Sequence, residues 1–179
     1  MKIEYTIATE DQELQQILDL QQQNLPNHIS ASEKRKEGFV TVEHNFKLLK
    51  LMNNQQPHCI AKAGDQVIGY ALCMTKNFRN EIDILAPMFE KIDAVVSNSS
   101  SYMVMGQICI SKTFRKKGVF RGLYQFMKTI LQTEYDILIT EVAAQNTRSL
   151  SAHYAIGFKD LLQYNSGKTT WHLIGWDMK

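Results

Sequence analysis

The apolar and polar positions fall into two kinds of segment. "KIEYTI" alternates with a period of two and predicts a first strand. Thr9 is then placed to cap a helix whose first turn carries the acids of "TEDQE". Leu14, Ile17, Leu18 and Leu20 supply that helix's apolar stripe, and Pro26 and Asn27 break the pattern. Residues 30 to 42 are polar and lack a clear period, with "SASEKRKEG" compatible with a short helix that Gly38 ends. "VEHNFKLLKLMNN" returns to helical spacing through Phe46, Leu49 and Leu51 or Met52.

Beyond residue 57 strands dominate. "HCIAKAGDQVIGYALCMT" predicts two strands about a tight turn at Gly64 and Asp65. Residues 79 to 96 are mixed and helical around "APMFEKI". "SYMVMGQICI" predicts a strong strand, and Val119, Leu123, Phe126 or Met127, and Ile130 a helix. "YDILITEV" is a continuous apolar, β-branched run, as expected for a buried strand. "NTRSLSAHYAI" predicts a short helix capped by Asn146 and ended by Gly157, and "FKDLLQY" and "TTWHLIGWDM" a closing hairpin. Helices interspersed with adjacent strands, without repeats or low-complexity linkers, predict one α/β domain with a mixed sheet over residues 1–179.

Composition narrows the function classes. Lys plus Arg number 20 and Asp plus Glu 18, a formal charge of +2. That balance argues against a protein that coats nucleic acid or an anionic membrane. Three cysteines (Cys59, Cys73 and Cys109) sit in apolar runs without C-x-x-C spacing, which predicts buried reduced thiols and no zinc site. Without an apolar leader or a bilayer-length run, a cytoplasmic location is the expectation.

The charge is local. In "FRKKGVFRGLY", residues 114 to 124, Arg115, Lys116, Lys117 and Arg121 crowd around Gly118, between the strand "MVMGQICI" and a helix. A helix N-terminus presents unpaired N–H groups and the positive end of its dipole, and glycine permits close backbone approach. Such a turn suits a phosphate. The same charges would also be at ease in a solvated loop. Neither the Walker A pattern nor the dinucleotide fingerprint is present, so the phosphate belongs to another kind of ligand.

The turn resembles the acyl-CoA site of the GNAT superfamily of N-acetyltransferases. Their signature Arg/Gln-x-x-Gly-x-Gly/Ala, between the fourth strand and the third helix, is met at Arg115 and Gly118. It departs at the sixth position, where Phe120 replaces the small residue. A second motif follows in "ITEVAAQNTRSLSAHYAIGF", which keeps Asn146 and Gly157-Phe158 at the superfamily's separation. The order of elements also fits: strand, two helices, hairpin, strand, helix, strand, helix, two strands.

The resemblance implies the acyl-CoA N-acyltransferase fold, a V-splayed mixed β-sheet flanked by helices, and acetyl-CoA as co-substrate. The backbone of Ile108, Cys109 and Ile110 would pair with pantetheine, and Gly106 is a plausible bulge. Arg115, Lys116, Lys117, Gly118, Val119, Phe120 and Arg121 would hold the phosphates, and Asn146 the pantetheine arm. No metal is implied, and homodimers are frequent among such proteins. The superfamily's acid is often a Tyr four residues before Gly-Phe. Here that position is His153, with Tyr154 one place later, about 100° around the helix. His153 is the favoured partner of the departing thiol, against the alternative that it merely bonds a backbone carbonyl. Glu141 could serve as base, with a strand-end charge as its plainer role. The acceptor, a small-molecule or peptide amine, would lie against residues 23 to 42 and the end hairpin. A non-catalytic acyl-CoA-binding protein of the same fold is the alternative reading.

Overall fold

The computed structural model describes residues 2–30, 32, 37, 39–81 and 85–179. The short helix expected within 30–42 falls largely outside the described residues.

Seven strands form one sheet: β1 (Glu4–Ile7), β2 (Cys59–Ala63), β3 (Gln66–Met74), β4 (Tyr102–Ile110), β5 (Ile137–Ala143), β6 (Lys159–Ser166) and β7 (Thr169–Asp177). Their spatial order is β1-β2-β3-β4-β5-β7-β6. All neighbours are antiparallel except the central pair, β4 and β5. Alternation along the strands sends side chains to two cores. Ile60, Tyr70, Leu72 and Ile139 face one side, beneath α1 (Asp11–Gln22), α2 (Phe46–Gln55) and α3 (Ala86–Val95). Ala61, Ala71, Met105 and Leu138 face the other, beneath α4 (Val119–Leu131) and α5 (Thr147–Tyr154). The helix α3 is additional to the element order the resemblance implies.

Local chemistry explains the element ends. Asn45 caps α2, its Oδ1 accepting from the Leu48 N–H at 2.9 Å. The cap of α1 is Glu10, not Thr9. Glu13 in the first turn reaches back instead, its Oε2 accepting from the N–H groups of Thr9 (2.8 Å) and Glu10 (3.1 Å). On α4, Val119, Leu123, Met127 and Leu131 recur every four residues and are buried. Gly122 lets this helix settle on β1, because a Cβ there would lie 2.1 Å from the Tyr5 ring.

The feature that makes a site is the parting of β4 and β5. They pair only from Tyr102 to Val104, against Ile137 to Ile139. Just beyond, the β3 register jumps: Cys73 faces Met105 but Leu72 faces Gln107, leaving Gly106 as the extra residue of a bulge. The bulge bends β4 away from β5 and opens the V that the sequence led one to expect.

Candidate active site

The basic turn lies at one mouth of that V. After β4 the chain makes a 3-10 turn over Lys112–Phe114, and Lys116 and Gly118 both take left-handed conformations (φ 61° and 80°). Gly118 is the residue from which α4 departs, and a Cβ on it would meet nothing within 4 Å. The first turn of α4 therefore presents its unpaired N–H groups at an open surface. This surface borders a cleft of about 390 Å³. Ile108, Cys109 and Ile110 form one wall, and Arg115, Lys116 and Gly118 lie at the turn. Val119, Phe120 and Arg121 open α4, and Asn146 faces them from the start of α5. The structure thus brings together ten of the eleven residues expected to hold the cofactor. Lys117 is apart: its ammonium rests over the Phe114 ring, 5.1 Å from the centroid.

Several of the ten are already engaged within the chain, Arg121 among them, with an Nη donating to the Ala155 carbonyl at 3.1 Å. Arg115 Nε donates to the Ile110 carbonyl (3.2 Å), and an Nη donates to Asn24 Oδ1 (2.6 Å). The Glu37 carboxylate lies 3.5 Å from Arg115 and 3.8 Å from Lys116. Asn146 caps α5 through Oδ1, and its Nδ2 donates to the Phe39 carbonyl at 3.2 Å. Phe120 does not crowd the turn. Its ring stands edge-on to Tyr124 and His153, with centroids 5.1 and 5.2 Å away.

A second cavity of about 70 Å³ occupies the V itself, between Gly106, Gln107 and Ile108 on β4 and Thr140, Glu141 and Val142 on β5. Phe39, Val40, Ile108, Asn146 and Ser149 line both cavities, so the two adjoin. Residues 39–42 run across the top as a strap. Val40 N–H donates to the Asn24 carbonyl (3.3 Å), and Gln107 Nε2 donates to the Val42 carbonyl (2.7 Å). Gln107 Oε1 in turn accepts from the buried Tyr70 hydroxyl at 2.6 Å. Among the described residues no group of three or more His, Cys, Asp or Glu is placed to hold a metal ion, and no helix is long and apolar enough to cross a membrane.

The comparison that decides the family is a family profile, the acetyltransferase (GNAT) family, which matches residues 14–158. The chain belongs to the GNAT acetyltransferase family. No curated protein is matched. Solved structures share the fold over nearly the whole length. The ribosomal-protein-S18-alanine N-acetyltransferase of Escherichia coli superposes with a TM-score of 0.66 at 11% identity, covering 99% of this chain and 94% of that one. The NatC complex, bound to Gag peptide and CoA, gives 0.68 at 14%, with 99% of each chain covered. A putative acetyltransferase from Salmonella typhimurium, solved with acetyl-CoA, gives 0.66 at 11%, covering 100% and 95%.

For a GNAT protein the two residues expected at the departing thiol are placed unexpectedly. His153 is 1% exposed, and burial pushes its imidazole down to about 4. Nδ1 lies 2.7 Å from the Ser149 carbonyl, an acceptor, so Nδ1 carries the hydrogen. Nε2 then accepts from the Tyr124 hydroxyl at 2.7 Å. Both nitrogens of this neutral ring are thus engaged within the chain, the arrangement of the alternative in which His153 bonds a backbone carbonyl. Tyr154 is 39% exposed, and its hydroxyl donates to Asp160 at 2.9 Å. It lines neither cavity, because the 100° step around α5 turns it toward the β6–β7 hairpin.

Glu141 gains importance from its position. It lines the V, and burial pushes its carboxyl up to about 7 although the Tyr164 hydroxyl donates to it. A carboxyl half ionised at neutrality is poised to accept protons. Burial likewise pushes the Cys109 thiol up to about 12, so it offers no thiolate nucleophile. Arg148 and Ser149, on the α5 wall of the cleft, escaped the sequence reading because a helix wall has no motif of its own. Their one signal was their place just after the Asn146 cap.

Proposed function

We propose that this chain transfers an acetyl group from acetyl-CoA to the amine of a small molecule or a peptide, both substrates being bound at once. The residues present fit that co-substrate. A helix N-terminus ringed by Arg115, Lys116 and Arg121 suits a pyrophosphate, and the β4 edge past Val104 is left by β5 for an extended arm. Bound there, acetyl-CoA supplies an activated thioester carbonyl. Ile108 and Asn146 would align the arm, and Glu141 would take the proton that the amine loses on attack. The hydroxyl of Ser149, shared by both cavities, replaces His153 as the donor beside the departing sulfur. Its hydrogen is not claimed by His153, since Nδ1 is itself the donor toward Ser149.

One observation carries the proposal: a carboxyl held near 7 stands in a chamber that adjoins the cleft beside the basic turn. The peptide-bound and acetyl-CoA-bound relatives of the same fold support the choice of substrates.

The test joins ligand binding to turnover. Acetyl-CoA at ~100 times its Kd should raise the unfolding temperature by roughly 5–10 °C, while ATP at equal concentration should not. In a mass-spectrometric screen of amines and peptides, Glu141→Gln should cut acetylation by about 10²–10⁴-fold with the thermal shift retained. Equal shifts with ATP, or no acetylation of any amine or peptide, would overturn the proposal, and undiminished acetylation by the variant would overturn the role of Glu141 alone.

A further inference from the structure

The carboxyl of Glu141 is held by a residue two strands away. Glu141 faces Leu173 across the β5–β7 ladder, and Leu173 faces Leu162 across β7 and β6. Tyr164, two residues along β6 from Leu162, therefore stands on the same face of the sheet as Glu141, with β7 between them. Strands lie about 4.8 Å apart, so the gap to be spanned is roughly 10 Å. Glutamate and tyrosine are long enough together to bridge it, and the phenol donates to Glu141 Oε2. A serine or threonine at position 164 could not reach.

We propose that Tyr164 is the positioning residue of Glu141: its phenol, delivered by the edge strand, holds one carboxylate oxygen, which favours the charged form and leaves the other oxygen for the chamber where the acceptor amine reacts. This rests on the reading of Glu141 as the base.

Three features support it. Glu141 lines the chamber in the V, so the bond is made to a group at the reacting end and not to a remote surface charge. The Tyr164 ring is half-buried and packed against the core beneath α1, α2 and α3. From α3 the Lys91 ammonium lies over that ring, 5.9 Å from its centroid. The ring is thus held by the core and by Lys91 while its hydroxyl donates to Glu141. The helix that supplies Lys91 is the element additional to the expected order, which ties it to this side of the site.

The other groups facing Glu141 do not duplicate the role. His153 reaches the same chamber from α5 as a buried neutral ring with both nitrogens engaged. Gln107 on β4 is uncharged, its amide spent on Val42 and its carbonyl on Tyr70. Trp171 on β7 contributes no charge. Lys91 meets the ring of Tyr164.

The sign of the effect follows. A donor to the ionised carboxylate favours that form, so its removal must raise the carboxyl midpoint. Tyr164→Phe keeps the ring, its packing and the Lys91 contact while deleting the donor. The midpoint should climb by roughly one unit, leaving about a tenth of Glu141 ionised at pH 7 where the parent has half.

The experiment is a carbon-detected NMR titration of the Glu141 carboxyl in the acetyl-CoA-free full chain, with Glu141→Gln to identify its resonance. The expected result is a midpoint near 7 in the parent and a higher one in Tyr164→Phe. Replacing Tyr164 with 3,5-difluorotyrosine, a stronger donor of nearly the same shape, should move the midpoint down and guards against a folding defect in the first variant. A parent midpoint near 7 that neither substitution moves would overturn the role of Tyr164 and leave the base reading standing. A parent midpoint near 4.5 would remove both.

Discussion

At the scale of single residues, His153 shows how an environment assigns a role. Sequence position makes it the counterpart of a catalytic tyrosine, yet its ring lies within a cage of Phe120, Tyr124 and Phe158. Its two hydrogen bonds satisfy the Ser149 carbonyl and the Tyr124 hydroxyl, and the latter would otherwise be an unpaired buried group. Phe120 belongs to the same cage, so the two departures from the family pattern are packed against one another. His153→Phe should preserve the volume but strand the Tyr124 hydroxyl. It should lose about 1–3 kcal/mol in chemical denaturation while acetyl-CoA affinity by calorimetry stays unchanged. A fall in turnover at unaltered stability would instead restore His153 to the chemistry.

At the scale of elements, the strand–turn–helix unit from β4 to α4 is the most legible part of the chain. The apolar run of β4, the glycine at the start of α4 and the four-residue apolar spacing after it are all local signals. The structure keeps each of them. What local signals omit is why α4 lies where it does. Gly122 belongs to no motif read from the sequence, yet it is the contact point between α4 and β1. Gly122→Ala would drive a methyl group into Tyr5, and should cost about 1–3 kcal/mol by overpacking. Because the collision is with one side chain, Tyr5→Ala added to it should recover part of the loss, a coupling that a double-mutant cycle in urea would measure. Additive losses would mean that Gly122 matters for some reason other than this contact.

At the scale of the whole molecule, buried histidines set the response to acid. Burial pushes His44 and His153 down to about 4 and His58 to about 3. His58 accepts from the Cys73 N–H and pairs with the Leu49 carbonyl, while His44 bonds the Gln21 side chain. In the unfolded chain each would titrate near 6.5, so below that pH the unfolded state binds more protons and stability falls. Glu141 acts oppositely. Its raised folded midpoint means that between about 7 and 4.5 the folded state holds the extra proton. The net excess in the unfolded state is about two protons near pH 5.5, a slope of roughly 2.7 kcal/mol per pH unit. Urea denaturation between pH 7 and 5 should show that decline, and a flat profile would mean that the three rings are not held neutral.

The sequence by itself determined the periodicities, the cap at Asn146, the basic glycine turn and the family. These depend on residues a few positions apart, whose relations survive in any compact arrangement. Tertiary structure alone decided which side chains meet. Tyr124 finds His153 across 29 residues, Tyr164 finds Glu141 across 23, and Asn146 finds the Phe39 carbonyl across 107. Such encounters require the sheet order, the Gly106 bulge and the parting of β4 from β5 to exist first. Burial then tunes the groups that have met, which is how a strand-end glutamate becomes a candidate base and an expected acid becomes part of the core.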